Sequence, residues 1–266
     1  MSYLPLDGRG WRLAMGLRPL KEGDWLEVDE RRDDELALKA ELLDRHYARV
    51  VGLRPAAEAA SNELLEMIGD FLAAHYPERA TSVNRSEPAL VAAARLVQED
   101  LCVMVREDEW RLLAAVVCFP SRWQLAEKIG ASLDEIHDPV PGYEDALGSS
   151  TRAVFDRLTP ARAFWRLNWT LLDSPELFQP VGARHAGATP ISEWHFRVER
   201  QTIRRLPRSG AVVFTIRTYV TPLSQILARP GAGADLLHAI ETAPPATRAY
   251  KGWNGVAERL ADLVRA

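Results

Sequence analysis

The sequence predicts an α+β protein. Three observations point to it: amphipathic helical spacing through the first hundred residues, five β-rich runs after Leu101 split two and three by a helical stretch, and helical spacing again after the last run.

Each element has a local reason. Residues 1–33 are mixed and punctuated by Gly8, Gly10, Gly16, Pro19 and Gly23, with Met15-Gly16-Leu17-Arg18-Pro19-Leu20 reading as an ordered arm. Leu36, Ala40, Leu43, Tyr47 and Val50 then follow helical spacing. So do Leu64, Ile68, Phe71 and Leu72, behind the capping candidates Ser61 and Asn62 and before the stop at Pro77. Leu90, Ala94 and Val97 mark a third helix over 88–98. At Leu101 the character changes. Cys102 to Val105 and Leu112 to Phe119 are β-rich and joined by the charged turn Glu107-Asp108-Glu109, a hairpin. Residues 122–158 are helical, broken at Gly130 and over 138–142. Strands follow over 164–172 and 193–205; Leu206-Pro207-Arg208-Ser209-Gly210 turns the chain, and 211–219 returns beside it. Residues 179–191, rich in Gly and Ala, read as a flexible loop, and helices fill 221–228, 233–242 and 254–265. An antiparallel five-stranded sheet with helices inserted after its second strand matches a PAS-like layout, a ligand-binding scaffold whose inserted helices wall the pocket. The expected division is 1–100 as an N-terminal arm and helices, 101–222 as the PAS-like core, and 223–266 as C-terminal helices.

Composition bounds the function. The chain has 266 residues, 47% hydrophobic and 26% charged, with a net charge of -4, so bulk charge does not suit nucleic acid. Its two cysteines, Cys102 and Cys118, sit in apolar runs and read as buried thiols; neither structural zinc nor an iron–sulfur cluster is supported. There is no signal-peptide layout at the N-terminus and no window long enough to span a membrane, so a cytoplasmic protein without a membrane partner is expected. Phosphate-cradling glycine loops, nucleophile elbows and H-E-x-x-H are absent from the sequence.

Three groups of residues can carry chemistry. In Ile136-His137-Asp138-Pro139-Val140-Pro141-Gly142-Tyr143, His137 stands before two prolines. A lone histidine there either caps a helix end or ligates a metal, and a single imidazole suits haem iron better than zinc. Along Arg197-Val198-Glu199-Arg200-Gln201-Thr202, strand alternation puts Arg197, Glu199 and Gln201 on one face, either solvated or lining a pocket. A one-residue slip would exchange Glu199 for Arg200. Arg217, on the following strand, is a candidate partner for Glu199. Arg122 and Lys128 flank the inserted helices and are either solvated charges or partners for haem propionates.

With those residues in view, the chain resembles the haem-dependent oxidative N-demethylase family, specifically its haem-binding α subunit. The matching stretches are Met15 to Leu20, Gln98-Glu99-Asp100-Leu101, Cys118-Phe119-Pro120-Ser121-Arg122-Trp123, the His137 segment, and 197–202 through Phe214-Thr215-Ile216-Arg217-Thr218-Tyr219, which together cover most of residues 12–225. The resemblance implies a PAS-like domain holding haem b, which oxidises a small secondary amine, dimethylamine, with O₂. Electrons would come from NADPH through separate subunits carrying FMN and an iron–sulfur cluster. It implies His137 as the axial iron ligand; pocket chemistry laid onto the family motifs gives Glu199 the substrate ammonium and its proton, and Arg217 the polarisation of oxygen. The alternatives are a haem-binding PAS sensor of a gas or amine without turnover, and a haem-free scaffold.

Overall fold

Two hairpins organise the sheet. The first joins β3 (Asp100–Arg106) to β4 (Trp110–Val116) through a tight turn closed by Glu107 N–H donating to the Glu109 carbonyl at 3.0 Å. The second joins β6 (His195–Arg205) to β7 (Val212–Pro222), closed by Leu206 N–H on the Ala211 carbonyl at 2.8 Å, with Gly210 at φ 71° where a Cβ would be strained. In this computed structural model, residues 3–79, 84–181 and 189–265 are described. β1 (Arg18–Pro19), β2 (Val51–Leu53) and β5 (Phe164–Leu172) complete one antiparallel sheet ordered β1-β5-β6-β7-β3-β4-β2.

The α+β class stands, but the sheet has seven strands where five were expected. The extra two are β1 and β2, of two and three residues, drawn from the N-terminal segment to shield the two edges. Helices α1 (Arg32–Arg45), α2 (Tyr47–Val50), α3 (Glu58–His75) and α4 (Ala89–Ala94) precede β3. Helices α5 (Leu133–His137) and α6 (Ser149–Arg157) lie between β4 and β5. Helices α7 (Leu223–Leu227), α8 (Ala232–Thr242), α9 (Pro245–Lys251) and α10 (Val256–Arg265) follow β7. The sequence did not mark α9. Ser61 and Asn62 are not caps: α3 starts three residues earlier, and their side chains donate back to the Ala57 and Glu58 carbonyls at 2.8 and 2.9 Å. Nor does α1 bury the expected stripe. It buries Glu35, Lys39, Leu42 and Leu43, and leaves Tyr47 beyond it exposed. Of the expected loop over 179–191, residues 182–188 lie outside the described residues.

Residues directly opposite in a sheet share a face, so the register sorts every side chain. One face carries Leu101, Val103, Ala114, Val116 and Val213 against α1, α3 and α4, and Trp169, Leu171, Phe196 and Val198 against α7, α8, α10 and Trp253. We call it the terminal-helix face. The other carries Cys102, Leu112, Ala115, Ile203 and Val212 against Leu125, Leu133, Phe155 and Leu158 of the segment inserted between β4 and β5. Gly52 lets this inserted segment close down, because a Cβ there would meet Ile129 Cγ1 at 2.9 Å. Both cysteines are buried and free, and burial pushes the Cys118 thiol up to about 12, so neither is a reactive thiolate. Among the described residues no helix is long and apolar enough to cross a membrane.

Candidate functional site

The register brings three polar rows together on the inserted-segment face. Asn168, Glu199 and Thr218 lie side by side; Thr170, Arg197 and Val220 form the next row, and Arg166, Gln201 and Ile216 the one on the other side. The Glu199 carboxylate is only 12% exposed and is held by amides, its Oε2 accepting from Asn168 Nδ2 at 3.2 Å and Gln201 Nε2 at 3.0 Å. Its Oε1 faces Arg197 Nε at 3.7 Å. Arg197 is a strut: its Nη atoms bind the carbonyls of Phe119 and Leu177 and the Thr218 hydroxyl, which pins the covering chain to the strand. The expected grouping of Arg197, Glu199 and Gln201 on one face is therefore what the register gives.

Arg217 is elsewhere. It pairs with Arg200, not Glu199, and so sits on the terminal-helix face. There its guanidinium, 0% exposed, binds Asp29 Oδ2 at 2.8 Å, Glu35 Oε2 at 2.7 Å and the Thr218 carbonyl at 2.9 Å. Gln98 bridges the same two carboxylates at 2.9 and 2.8 Å. Burial pushes the Glu35 and Glu99 carboxyls up, and the Arg217 charge opposes that shift in both. The expected Glu199–Arg217 pair does not form. The sheet lies between them, and Arg217 instead ties α1 and the chain before it to β7.

His137 ends α5, whose start is fixed by a capping box between Ser132 and Glu135. Its Nδ1 lies 2.7 Å from the Leu133 carbonyl. A carbonyl oxygen only accepts, so Nδ1 carries the hydrogen and Nε2 keeps the lone pair. The ring stacks on Tyr143 at 4.4 Å and 9°. Burial lowers its pKa, the Leu133 hydrogen bond works the other way, and the Arg166 and Lys128 charges lower it further, which favours the neutral ring. Lys128 does not meet a carboxylate: its Nζ donates to the Ile136 carbonyl at 2.8 Å, at the end of α5. Arg122, at φ 62°, is ion-paired with Asp173 and reaches Gln179 Oε1 at 3.3 Å. Lys128 thus holds a carbonyl within the inserted segment, and Arg122 ties that segment to the chain that follows β5.

Two cations here had no sequence signal. Arg166 projects from the middle of β5 into the field of Glu199 and Tyr143, yet forms no hydrogen bond or close ion pair with any described residue, and its Nε is buried without a partner. Lys251, at the end of α9, donates to the Trp169 carbonyl at 2.9 Å and lies 5.0 and 5.2 Å from the rings of Trp11 and Trp253. Burial lowers its pKa to about 8, against the attraction of Glu199. Beside this polar patch, Phe164 and Phe214 are only partly covered although Phe214 belongs to a central strand. A half-covered central phenylalanine means the inserted segment leaves apolar floor free for a ligand.

A family model described as haem-dependent oxidative N-demethylase, alpha subunit-like, matches residues 16–261. The chain belongs to that family. The description assigns a haem-dependent, oxidative demethylating role within an enzyme of more than one subunit. Chain and haem are compatible on the residues present. His137 offers a neutral, oriented imidazole, Phe164 and Phe214 an apolar floor, and Arg166 an unpartnered cation. Among the described residues no three His, Cys, Asp or Glu side chains gather as a metal-ion cluster.

Proposed function

We propose that this chain is the haem-binding component of an oxidative N-demethylase acting on a small secondary amine such as dimethylamine. The observation that carries the reading is Glu199, a carboxylate fixed by two amides on a face that also carries Arg166 and Arg197, within a chain matched to the family over residues 16–261. The long strands, split two and three around the inserted helices, support a PAS-like description of β3 to β7.

Haem b, when bound, supplies iron redox chemistry and the capacity to activate O₂. The protein's residues do the rest. His137, with its Nδ1 hydrogen directed to the Leu133 carbonyl, would hold the iron through the lone pair on Nε2. The Glu199 carboxylate binds the secondary ammonium and takes its proton, freeing the amine nitrogen lone pair. Asn168 and Gln201 keep that carboxylate from rotating while it does so. Thr218 beside it in the same row and Thr170 in the next have small side chains, which leave room for the amine. Overall, dimethylamine, O₂, two electrons and two protons become methylamine, formaldehyde and water. The electrons enter from a separate reductase with FMN and iron–sulfur centres fed by NADPH, since both cysteines of this chain are buried.

The test is an absorption spectrum of the purified protein, oxidised, reduced and with dimethylamine. A Soret band near one haem per chain that the amine perturbs is expected. His137→Ala should lose or shift it, with imidazole restoring it. Glu199→Gln should keep the band and lower amine-dependent O₂ uptake by roughly 100-fold or more. A band indifferent to amines turns the reading towards a haem-binding sensor, and absence of haem after supplementation overturns it.

A further inference from the structure

Three cations act on Glu199: Arg166, Arg197 and Lys251. Arg197 also has Asp100 in its field, whereas Glu199 is the one carboxylate acting on Arg166. Two of the three cations are committed, Arg197 to the Phe119 and Leu177 carbonyls and Lys251 to the Trp169 carbonyl. Glu199 Oε2 is taken by Asn168 and Gln201, while Oε1 faces Arg197 Nε at 3.7 Å and stays open to a substrate ammonium. Arg166 is left with a buried Nε and no hydrogen bond to any described residue. An Nε–H cut off from water without an acceptor is costly, and a planar fork of N–H donors is matched by a carboxylate better than by any other common group.

We propose that Arg166 is a carboxylate-binding subsite, filled by a propionate of the bound haem; this rests on the haem reading above. The cations first expected to do this, Arg122 and Lys128, are held by Asp173 and by the Ile136 carbonyl. The cleft of about 510 Å³ that His137 and Tyr143 line also carries Asp134, Glu135, Asp138, Glu144 and Asp145, which would repel a carboxylate placed among them. A second source has the same chemistry: a substrate that carries its own carboxylate, such as an N-methyl amino acid, with its ammonium on Glu199.

The experiment uses the full chain, Arg166→Met and Arg166→Lys, each measured without haem, with haem and with haem dimethyl ester. In the haem-free protein Arg166→Met should unfold at the same temperature or higher, because it removes an unpartnered buried cation. Haem should leave Arg166→Met roughly 10- to 100-fold faster than the parent when captured by an apo-globin. The dimethyl ester should leave the parent at the fast rate already, with no further gain in Arg166→Met. Arg166→Lys, which keeps the charge but not the fork, should fall between. Unchanged haem retention, together with loss of the N-methylglycine spectral response while the dimethylamine response persists, assigns the same subsite to a substrate carboxylate. Equal weakening of haem and its ester, a marked drop in haem-free stability, or no change in any of these measurements overturns the subsite while leaving haem binding in place. A parent protein that takes up no haem overturns the functional reading itself and this inference with it.

Discussion

Replacing Arg217 by Met separates a structural from a catalytic role for this residue. The side chain is 0% exposed and faces Asp29 and Glu35 at 2.8 and 2.7 Å, with the fully buried Glu99 also in its field. Methionine keeps most of the packing volume and removes the cation that Asp29, Glu35 and Glu99 share, leaving Arg31 to act on Asp29 and Lys39 on Glu99. Removing one member of a buried ion pair costs about 3–5 kcal/mol. At roughly 2–4 °C per kcal/mol for a chain of this size, thermal unfolding followed by circular dichroism at neutral pH should fall on the order of 10 °C. The deficit should depend on pH with a definite sign. Burial already raises the folded pKa of Glu35 and Glu99, and Arg217 opposes the rise. Without Arg217 those values climb further above the unfolded ones, so the folded variant holds protons that its unfolded chain releases. Its stability is then fullest below the ordinary carboxylate range and is lost as pH rises, so the deficit should be visibly smaller near pH 5 than near pH 7.5. A variant that unfolds like the parent, yet loses amine-dependent oxygen uptake, would refute the placement of Arg217 behind the sheet.

Other outcomes follow from single contacts. Asp100 accepts the Cys118 and Phe119 amide hydrogens at 2.8 Å each, and burial raises its pKa from 3.8 to about 6. The folded protein therefore loses about 3 kcal/mol of stability as pH rises from about 4 to 6, and Asp100→Asn should flatten that slope in urea titrations. Gly52→Ala would drive a methyl group against Ile129 and should cost about 1–3 kcal/mol in the same titrations; an unchanged midpoint would mean the inserted segment yields freely. Cys102 and Cys118 should resist a thiol reagent in the folded protein and label only on denaturation, in a mass-spectrometric time course.

The long strands were legible because β-branched and aromatic runs bounded by Glu107-Asp108-Glu109 and by Leu206 to Gly210 leave little choice of partner. β1 and β2 were not, since two or three residues carry no periodicity. The faces of Glu199 and Arg217 turned on one quantity, the length of the β6–β7 loop. Leu206 closes on Ala211, leaving the four residues 207–210 outside the ladder, and an even loop puts residues of equal parity on opposite faces. The turn composition only bracketed that length. Glu35 and Lys39 fell outside the apolar stripe read for α1, because buried charges give no signal until their partners, Arg217 for one and the carbonyls of Val97 and Glu99 for the other, are brought alongside by the fold. Arg166 was not singled out, and only the register shows that it shares a row with Gln201.

The polar joint around Arg217 also bears on how the chain comes to be made. Asp29 meets Arg217 across 188 residues of sequence, and the carbonyl of Asp24 meets Arg200 across 176. The segment bearing these groups leaves the ribosome early and finds its partners only after β6 and β7 have emerged. Until then its carboxylates stay hydrated, which keeps α1 soluble and discourages it from collapsing onto the wrong apolar surface. The cost is delay: contacts of such long span cannot form until β6 and β7 have been made, so this joint should be acquired late and slowly.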